Sequence, residues 1–236
     1  MFVGIIVAAG SGNRMSSKQK KQYIDVQGKP LLYYSLRAFQ DSSVDEIILV
    51  TSADEIEYCQ KEIIEKYKMT KVTKVVAGGE ERYESVYEGL KVTNPDSYVL
   101  IHDGARPMVS VELIERIMNA VVKYKACIAA VPVKDTIKRI SMDGRVVETL
   151  ARSALQAIQT PQAFPAKHLQ EAYGYMFSTL LVLNNRSELS ITDDSMIMET
   201  YGKQRVHTVM GDYTNIKVTT PEDLILANAF LSNAKK

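Results

Sequence analysis

Cysteine is scarce in this chain: Cys59 and Cys127 are the only two. They have no C-x-x-C spacing and no histidine beside them, which argues against a thiol metal or redox centre and for buried free thiols. Histidine is nearly as rare, with only His102, His168 and His207, far apart in sequence. Neither sign of charge dominates. Lys plus Arg number 29 against 28 Asp plus Glu, a net charge of +1, which gives no general electrostatic case for binding nucleic acid or a membrane. Affinity for an anion must then come from locally clustered cations and oriented backbone N–H groups. No stretch approaches the roughly 18 apolar residues that span a bilayer. The apolar run Phe2 to Ala9 lacks a basic leader and enters Gly10-Ser11-Gly12, so it fits a strand better than a signal peptide. A reducing cytoplasm is the expected setting.

The rest of the composition, 46% hydrophobic and 24% charged over 236 residues, is that of an ordinary globular chain. Short β-branched runs recur at Val3 to Val7, Glu46 to Thr51, Lys71 to Ala77, Tyr98 to His102, Cys127 to Val133, Arg205 to Met210 and Asn215 to Thr219. Several are apolar throughout, as strands covered on both faces are. Amphipathic segments lie between them. In Val111 to Tyr124, Leu113, Ile114, Ile117, Met118, Val121 and Val122 recur at helical spacing, with Ser110 placed as N-cap. The alternation predicts a three-layer α/β fold around a mainly parallel sheet. With no repeat, low-complexity tract or linker, residues 1–236 read as one domain.

One segment breaks the pattern. Thr136 to Leu150 reads as two short arms around Met142-Asp143-Gly144-Arg145, a hairpin signal. With so many charged positions it is expected to project outward, either to pack on something else, a partner subunit being one candidate, or to stand as a surface flap with no partner. Thr220-Pro221-Glu222-Asp223 reads as a helix start, with N-cap Thr220 and Pro221 at the first helical position. That fixes Lys217 just before it.

Chemistry-bearing residues gather near expected strand ends. The first strand runs into Ala8-Ala9-Gly10-Ser11-Gly12-Asn13-Arg14-Met15, a turn whose N–H groups could surround phosphate oxygens, with Arg14, Lys18, Lys20 and Lys21 following. It is neither a Walker A loop nor a dinucleotide fingerprint, because Met15 replaces the third glycine. At His102-Asp103-Gly104-Ala105-Arg106-Pro107 a carboxylate leaves an apolar strand; such a group holds Mg2+ beside phosphates, or closes a turn and pairs with Arg106. His102 reads as hydrogen-bonded structure rather than a base. Arg82, Lys134, Lys138, Arg152 and Lys217 also stand near strand or hairpin ends. Ligands of open α/β sheets bind where such ends converge.

These segments together resemble the 2-C-methyl-D-erythritol 4-phosphate cytidylyltransferases, within the glycosyltransferase-A-like nucleotidyltransferases. The likeness runs through the glycine loop and Lys21-Gln22-Tyr23, then Gly78-Gly79-x-x-Arg82-x-x-Ser85-Val86 and His102 to Pro107. It continues in Val131 to Lys138, Gln159-Thr160-Pro161-Gln162, Thr192-Asp193-Asp194 and Asn215 to Thr219. The resemblance implies a Rossmann-like three-layer fold with a protruding β-hairpin arm at about 134–158. It implies transfer of CMP from CTP to a sugar-alcohol phosphate. The loop Gly10, Ser11 and Gly12 would hold the triphosphate, with Arg14 and Lys21 at the α-phosphate. Cytosine and ribose would lie against Ala8, Ala9, Gly79 and Ser85, and Asp103 would sit at Mg2+ and the nucleotide. Arg152, Thr136 and Lys217 would position the acceptor phosphate, with Arg106 and Thr160 nearby. The arm would cross a homodimer, so that Thr136 and Arg152 serve the partner's site.

Three positions depart from the family pattern: Lys20 where Pro is common, Ala151 where an acidic residue is frequent, and Gln156 where an aromatic is. A ribitol 5-phosphate cytidylyltransferase is the nearest alternative. A nicotinamide-dependent oxidoreductase is opposed by the missing third glycine. A catalytically silent nucleotide-binding module is opposed by the joint presence of Arg14, Lys21, Asp103, Arg152 and Lys217.

Overall fold

Runs of consecutive Val, Ile and Leu send alternate side chains to opposite faces of a sheet, so such strands are stable only when helices cover both faces. The computed structural model describes residues 1–10, 20–183 and 191–233. In chain order the elements are β1 (Phe2–Val7), β2 (Asp25–Val26), β3 (Lys29–Pro30), α1 (Leu31–Asp41), β4 (Glu46–Thr51) and α2 (Ile56–Tyr58), which runs on as π-helical turns over Cys59–Glu65. Then come β5 (Val72–Ala77), α3 (Arg82–Lys91), β6 (Tyr98–Asp103), α4 (Val111–Tyr124), β7 (Cys127–Pro132), β8 (Lys138–Ile140) and β9 (Val146–Thr149). The chain closes with β10 (Gln156–Pro165), α5 (Ala166–Leu183), α6 (Asp194–Thr200), β11 (His207–Met210) and α7 (Pro221–Asn233).

Among the described residues seven strands form one sheet in the order β11-β7-β10-β6-β1-β4-β5. All pairings are parallel except those of β10 with β6 and β7. Alternation divides the core. Ile6, Ile47, Leu49 and Leu100 meet α1, α4 and the π-helical turns on one face. Ile5, Ile48, Val50, Val99 and Ile101 meet α3, α5 and α6 on the other. A third cluster, including Val26, Leu31, Val218 and Ala227, seats α7 against β2. This is the expected three-layer, mainly parallel, Rossmann-like α/β architecture. No helix among the described residues is long and apolar enough to cross a membrane.

Several local expectations hold. Ser110 Oγ accepts from Leu113 N at 3.1 Å at the start of α4. Asp223 Oδ2 accepts from the N–H groups of Thr219 and Thr220 at 2.8 and 2.9 Å ahead of α7. Cys59 and Cys127 are buried free thiols. Strands β8 and β9 pair antiparallel and are exposed throughout. Gly144 turns between them at φ +82°, a left-handed conformation that favours glycine.

Two expectations need correction. Asn215 to Thr219 is not a strand; its polar groups are spent on the turn after β6 and on β10 instead of on a strand ladder. Val218 N donates to Ala105 O at 2.8 Å, and Asn215 Nδ2 donates to Thr160 O at 2.8 Å. Lys217 is still delivered to the end of β6, but by a pinned loop. The second correction is β10, a strand in the middle of the sheet that hydrophobic periodicity does not reveal. Its register with β7 breaks between Ile158 and Gln162, which sets Gln159 and Thr160 beside the end of β6.

Candidate active site

The carboxyl ends of β1, β5 and β6 open onto a pocket lined by Ala8, Gly10, Lys21, Gly79, Arg82 and Ser85, and closed on its inner side by Asp103 and Lys217. Its narrow end is set by backbone proximity. A Cβ on Gly78 would come within 2.5 Å of the Ala9 Cβ and 2.6 Å of Ser85 Oγ, so only glycine lets β5 lie this close to β1 and α3. Ser85 is buried in the first turn of α3, and its hydroxyl donates to Glu81 O at 3.2 Å. Gln22 Nε2 donates to the carbonyl of Ala8 at 2.7 Å, fixing the end of β1 to the Lys21–Tyr23 turn. Ser52 Oγ donates to Ala9 O at 3.1 Å.

A second pocket lies across Asp103, bounded by Arg106, Gln159, Thr160, Thr192 and Lys217, with Arg82 again at its wall. Arg82, Asp103 and Lys217 therefore stand between the two. Arg82 Nε meets Asp103 Oδ1 at 2.8 Å and Lys217 Nζ meets Oδ2 at 2.8 Å. Burial alone would raise the Asp103 pKa. Arg82, Lys217 and Arg106 override it and hold the carboxyl well below its usual value, so it is ionised. Arg106 Nε lies 3.7 Å from Asp103 Oδ2, too far for a hydrogen bond, and is buried with no hydrogen-bond partner. A buried unpaired N–H of a cation is costly, and an incoming anion would satisfy it.

His102 closes the base of this wall. It is buried, and burial lowers its pKa from the usual 6.5 to about 3, so the ring is neutral. Thr160 Oγ1 accepts from Asp103 N at 3.1 Å and lies 2.9 Å from His102 Nδ1; His102 Nε2 faces Arg106 O at 3.3 Å. The carbonyl can only accept, so Nε2 carries the proton and Thr160 donates to Nδ1. His102 is structural, as its sequence setting implied.

Most sequence-selected residues converge here. Ala8, Gly10, Lys21, Gly79, Ser85, Asp103 and Lys217 line the first pocket, and Asp103, Arg106, Thr160 and Lys217 the second. Ser11, Gly12, Arg14 and Lys18 lie outside the described residues. Lys20 is engaged elsewhere, 3.2 Å from Asp54 and 3.1 Å from Glu55. Thr136 and Arg152 are exposed and line neither pocket; Arg152 Nη1 donates to Lys134 O at 2.7 Å. Arg82 enters the sequence reading as one of the basic residues near strand ends, and Asp194 only as a motif member. Residue type alone does not show that Arg82 Nη2 meets Asp194 Oδ2 at 2.8 Å. As a resident Mg2+ site the donor set does not fit. Both Asp103 oxygens are taken by cations, and the described residues hold no cluster of three or more acidic, His or Cys side chains.

Comparison with known proteins gives one consistent result. The family model for 2-C-methyl-D-erythritol 4-phosphate cytidylyltransferase (IspD) matches residues 2–233. A protein of that name from Lachnoclostridium phytofermentans is 47% identical over 96% of this chain and 94% of its own length. Another from Lachnospira eligens is 45% identical over 98% and 99%. The crystal structure of 4-diphosphocytidyl-2C-methyl-D-erythritol synthase from Anaerococcus prevotii superposes with a TM-score of 0.83 at 40% identity, covering 98% of this chain and 96% of that one.

Proposed function

The chain belongs to the 2-C-methyl-D-erythritol 4-phosphate cytidylyltransferase family, and we propose that its two pockets divide the substrates, CTP in the first and the acceptor phosphate in the second. The reaction transfers CMP from CTP to 2-C-methyl-D-erythritol 4-phosphate. It releases pyrophosphate and forms 4-diphosphocytidyl-2-C-methyl-D-erythritol. The observation that carries the assignment of pockets is the shared wall of Arg82, Asp103 and Lys217.

In this reading cytosine and ribose lie against Ala8, Ala9, Gly79 and Ser85, three of which (Ala8, Gly79 and Ser85) line the first pocket, and the triphosphate extends from there toward Gly10 and Lys21. The acceptor phosphate enters beside Arg106 and Lys217, with Thr160 flanking it. One of its oxygens attacks the α-phosphorus in line, a P–O bond forms, and the bond to the bridging oxygen breaks as pyrophosphate departs with that electron pair. A phosphate monoester is largely ionised near neutral pH, so no strong base is needed. Catalysis then consists of holding two repelling anions in contact while charge moves onto the leaving group. The Lys217 amine supports this by facing both pockets. Mg2+ belongs to the proposal as the ion that accompanies the triphosphate, since both Asp103 oxygens are already taken by cations.

The experiment is pyrophosphate release from CTP with the methylerythritol phosphate, run beside ribitol 5-phosphate. Turnover with the first acceptor is expected; turnover with ribitol 5-phosphate alone would reassign the second pocket. Lys21→Ala is expected to lower kcat at least about tenfold, on the order of 1.4 kcal/mol of transition-state stabilisation. An unchanged rate in the folded variant would remove Lys21 from the mechanism.

The reading extends to assembly. One nucleotidyltransferase domain over residues 1–236 would carry the arm at about 134–158 as an appendage, working in the reducing cytoplasm. Ile140, Val146 and Val147 on the arm are more than half exposed, and a two-stranded hairpin is marginal alone. Packing against a second copy would cover them and bring Thr136 and Arg152 to that copy's acceptor pocket. Ile140→Asp with Val147→Asp is expected to convert a dimer to a monomer in sedimentation equilibrium. A wild type already monomeric at assay concentration refutes the arm exchange.

A further inference from the structure

Behind the wall between the pockets stands a carboxylate that lines neither of them. Asp194, the first residue of α6, has no exposed surface. Its Oδ1 accepts from Arg82 Nη1 at 3.1 Å and its Oδ2 from Arg82 Nη2 at 2.8 Å, a two-point fork. The Tyr173 hydroxyl, from α5, donates to Oδ1 at 2.7 Å. With both terminal nitrogens held, the planar guanidinium of Arg82 has one direction left for Nε, and that donor reaches Asp103 at 2.8 Å. Asp103 keeps its other oxygen for Lys217. Tyr173, Asp194, Arg82, Asp103 and Lys217 thus form a chain of alternating donors and acceptors running from the core to the wall.

We propose that Asp194 is a positioning residue for cytidylyl transfer, clamping Arg82 so that Asp103 presents one oxygen to it and the other to Lys217. The inference rests on the division of substrates between the two pockets. Asp194 is fully buried while Arg82 keeps about 25% of its side-chain exposure, and a largely buried ion pair of this kind is a poor source of stability, since an apolar pair of similar volume serves as well; orientation is what this fork supplies. Without the Asp194 charge, Asp103 becomes the nearest counter-ion for the whole guanidinium. Arg82 then turns to bind both Asp103 oxygens and displaces the Lys217 amine from Oδ2. The wall changes shape toward both pockets at once.

A double-mutant cycle over Asp194→Asn and Arg82→Gln tests this, with rates normalised to the folded fraction from near-UV circular dichroism. Asp194→Asn is expected to lower kcat at least tenfold and to raise KM for both CTP and the acceptor at least threefold. The double variant is expected to match Arg82→Gln alone, because Asp194 acts only through Arg82. Should Asp194→Asn fail to fold, Tyr173→Phe loosens the same clamp by one hydrogen bond and is expected to raise both KM values about twofold or more. A purely structural role predicts unchanged KM values and a rate that falls only with the folded fraction. That result overturns the proposal, as does a double variant whose loss is the product of the two single losses, or Tyr173→Phe with wild-type KM values when Asp194→Asn does not fold. A wild-type enzyme without cytidylyl transfer would overturn the reading beneath it instead, so the two failures are distinguishable.

Discussion

Replacing Lys217 with alanine is expected to lower kcat by two to three orders of magnitude, measured as pyrophosphate release at saturating CTP and acceptor. The amine faces both pockets and sits 2.8 Å from Asp103. On the proposed division of substrates it stands where the attacking phosphate and the α-phosphate of CTP would meet, the point at which charge would redistribute in the transition state. Removing one preorganised donor from such a position typically costs about 10²–10³ in kcat, or roughly 2.7–4 kcal/mol. Stability should suffer much less. Asp103 keeps Arg82 at 2.8 Å, so truncating Lys217 leaves no buried charge without a partner. The variant is thus expected to melt within a few degrees of the wild type while losing nearly all turnover. A kcat within threefold of wild type would take Lys217 out of the transition state. A loss confined to the acceptor KM would make it a binding residue only.

The elements that sequence pattern exposes are those built on burial alone. Strands β1, β4, β6 and β7 are largely buried runs dominated by β-branched and other apolar residues, and α4 carries its apolar stripe and its Ser110 cap in plain view. Strand β10 is built differently. Gln162 is buried, and its amide is satisfied by the Asp193 carboxylate at 2.9 Å and by Ser195 N at 3.0 Å. Gln159 donates to Asp212 O at 2.9 Å. Buried polar side chains that find partners cost little, but in sequence they look like loop. Asn215 to Thr219 is the converse case: β-like residues whose backbone bonds go to loops. In the site, strand ends mark where Asp103 and Gly79 fall, whereas Arg82 and Asp194, 112 residues apart, meet only through the fold. The near-zero net charge conceals three cations around one carboxylate, because an average over the whole chain carries no information about clustering.

The same wall makes the protein sensitive to acid, and His102 is the group expected to dominate first. Burial holds its pKa near 3 against the usual 6.5, so between these values the unfolded chain binds a proton that the folded chain refuses. Stability is therefore full above about pH 6.5 and is lost as pH falls toward 3. Integrated from pH 7 to 4.5, that single group is worth roughly 2–3 kcal/mol, a sizeable share of the roughly 5–15 kcal/mol that holds a typical domain together. Burial is the main reason the ring resists, and the hydrogen-bond order is consistent with it. Nδ1 already accepts the Thr160 hydroxyl, whose oxygen takes the Asp103 N–H, so a proton on Nδ1 would face the hydroxyl hydrogen and break the link. Asp103, whose carboxyl is also held low, adds its own loss only below the ordinary carboxylate range. Urea unfolding at intervals from pH 7 to 4.5 should show the wild type losing roughly 2–3 kcal/mol more than His102→Gln, which starts from lower stability and has no imidazole to protonate. Parallel pH dependences in the two proteins would mean that His102 already titrates in the folded state, and the neutral Thr160–His102–Arg106 brace would have to be abandoned.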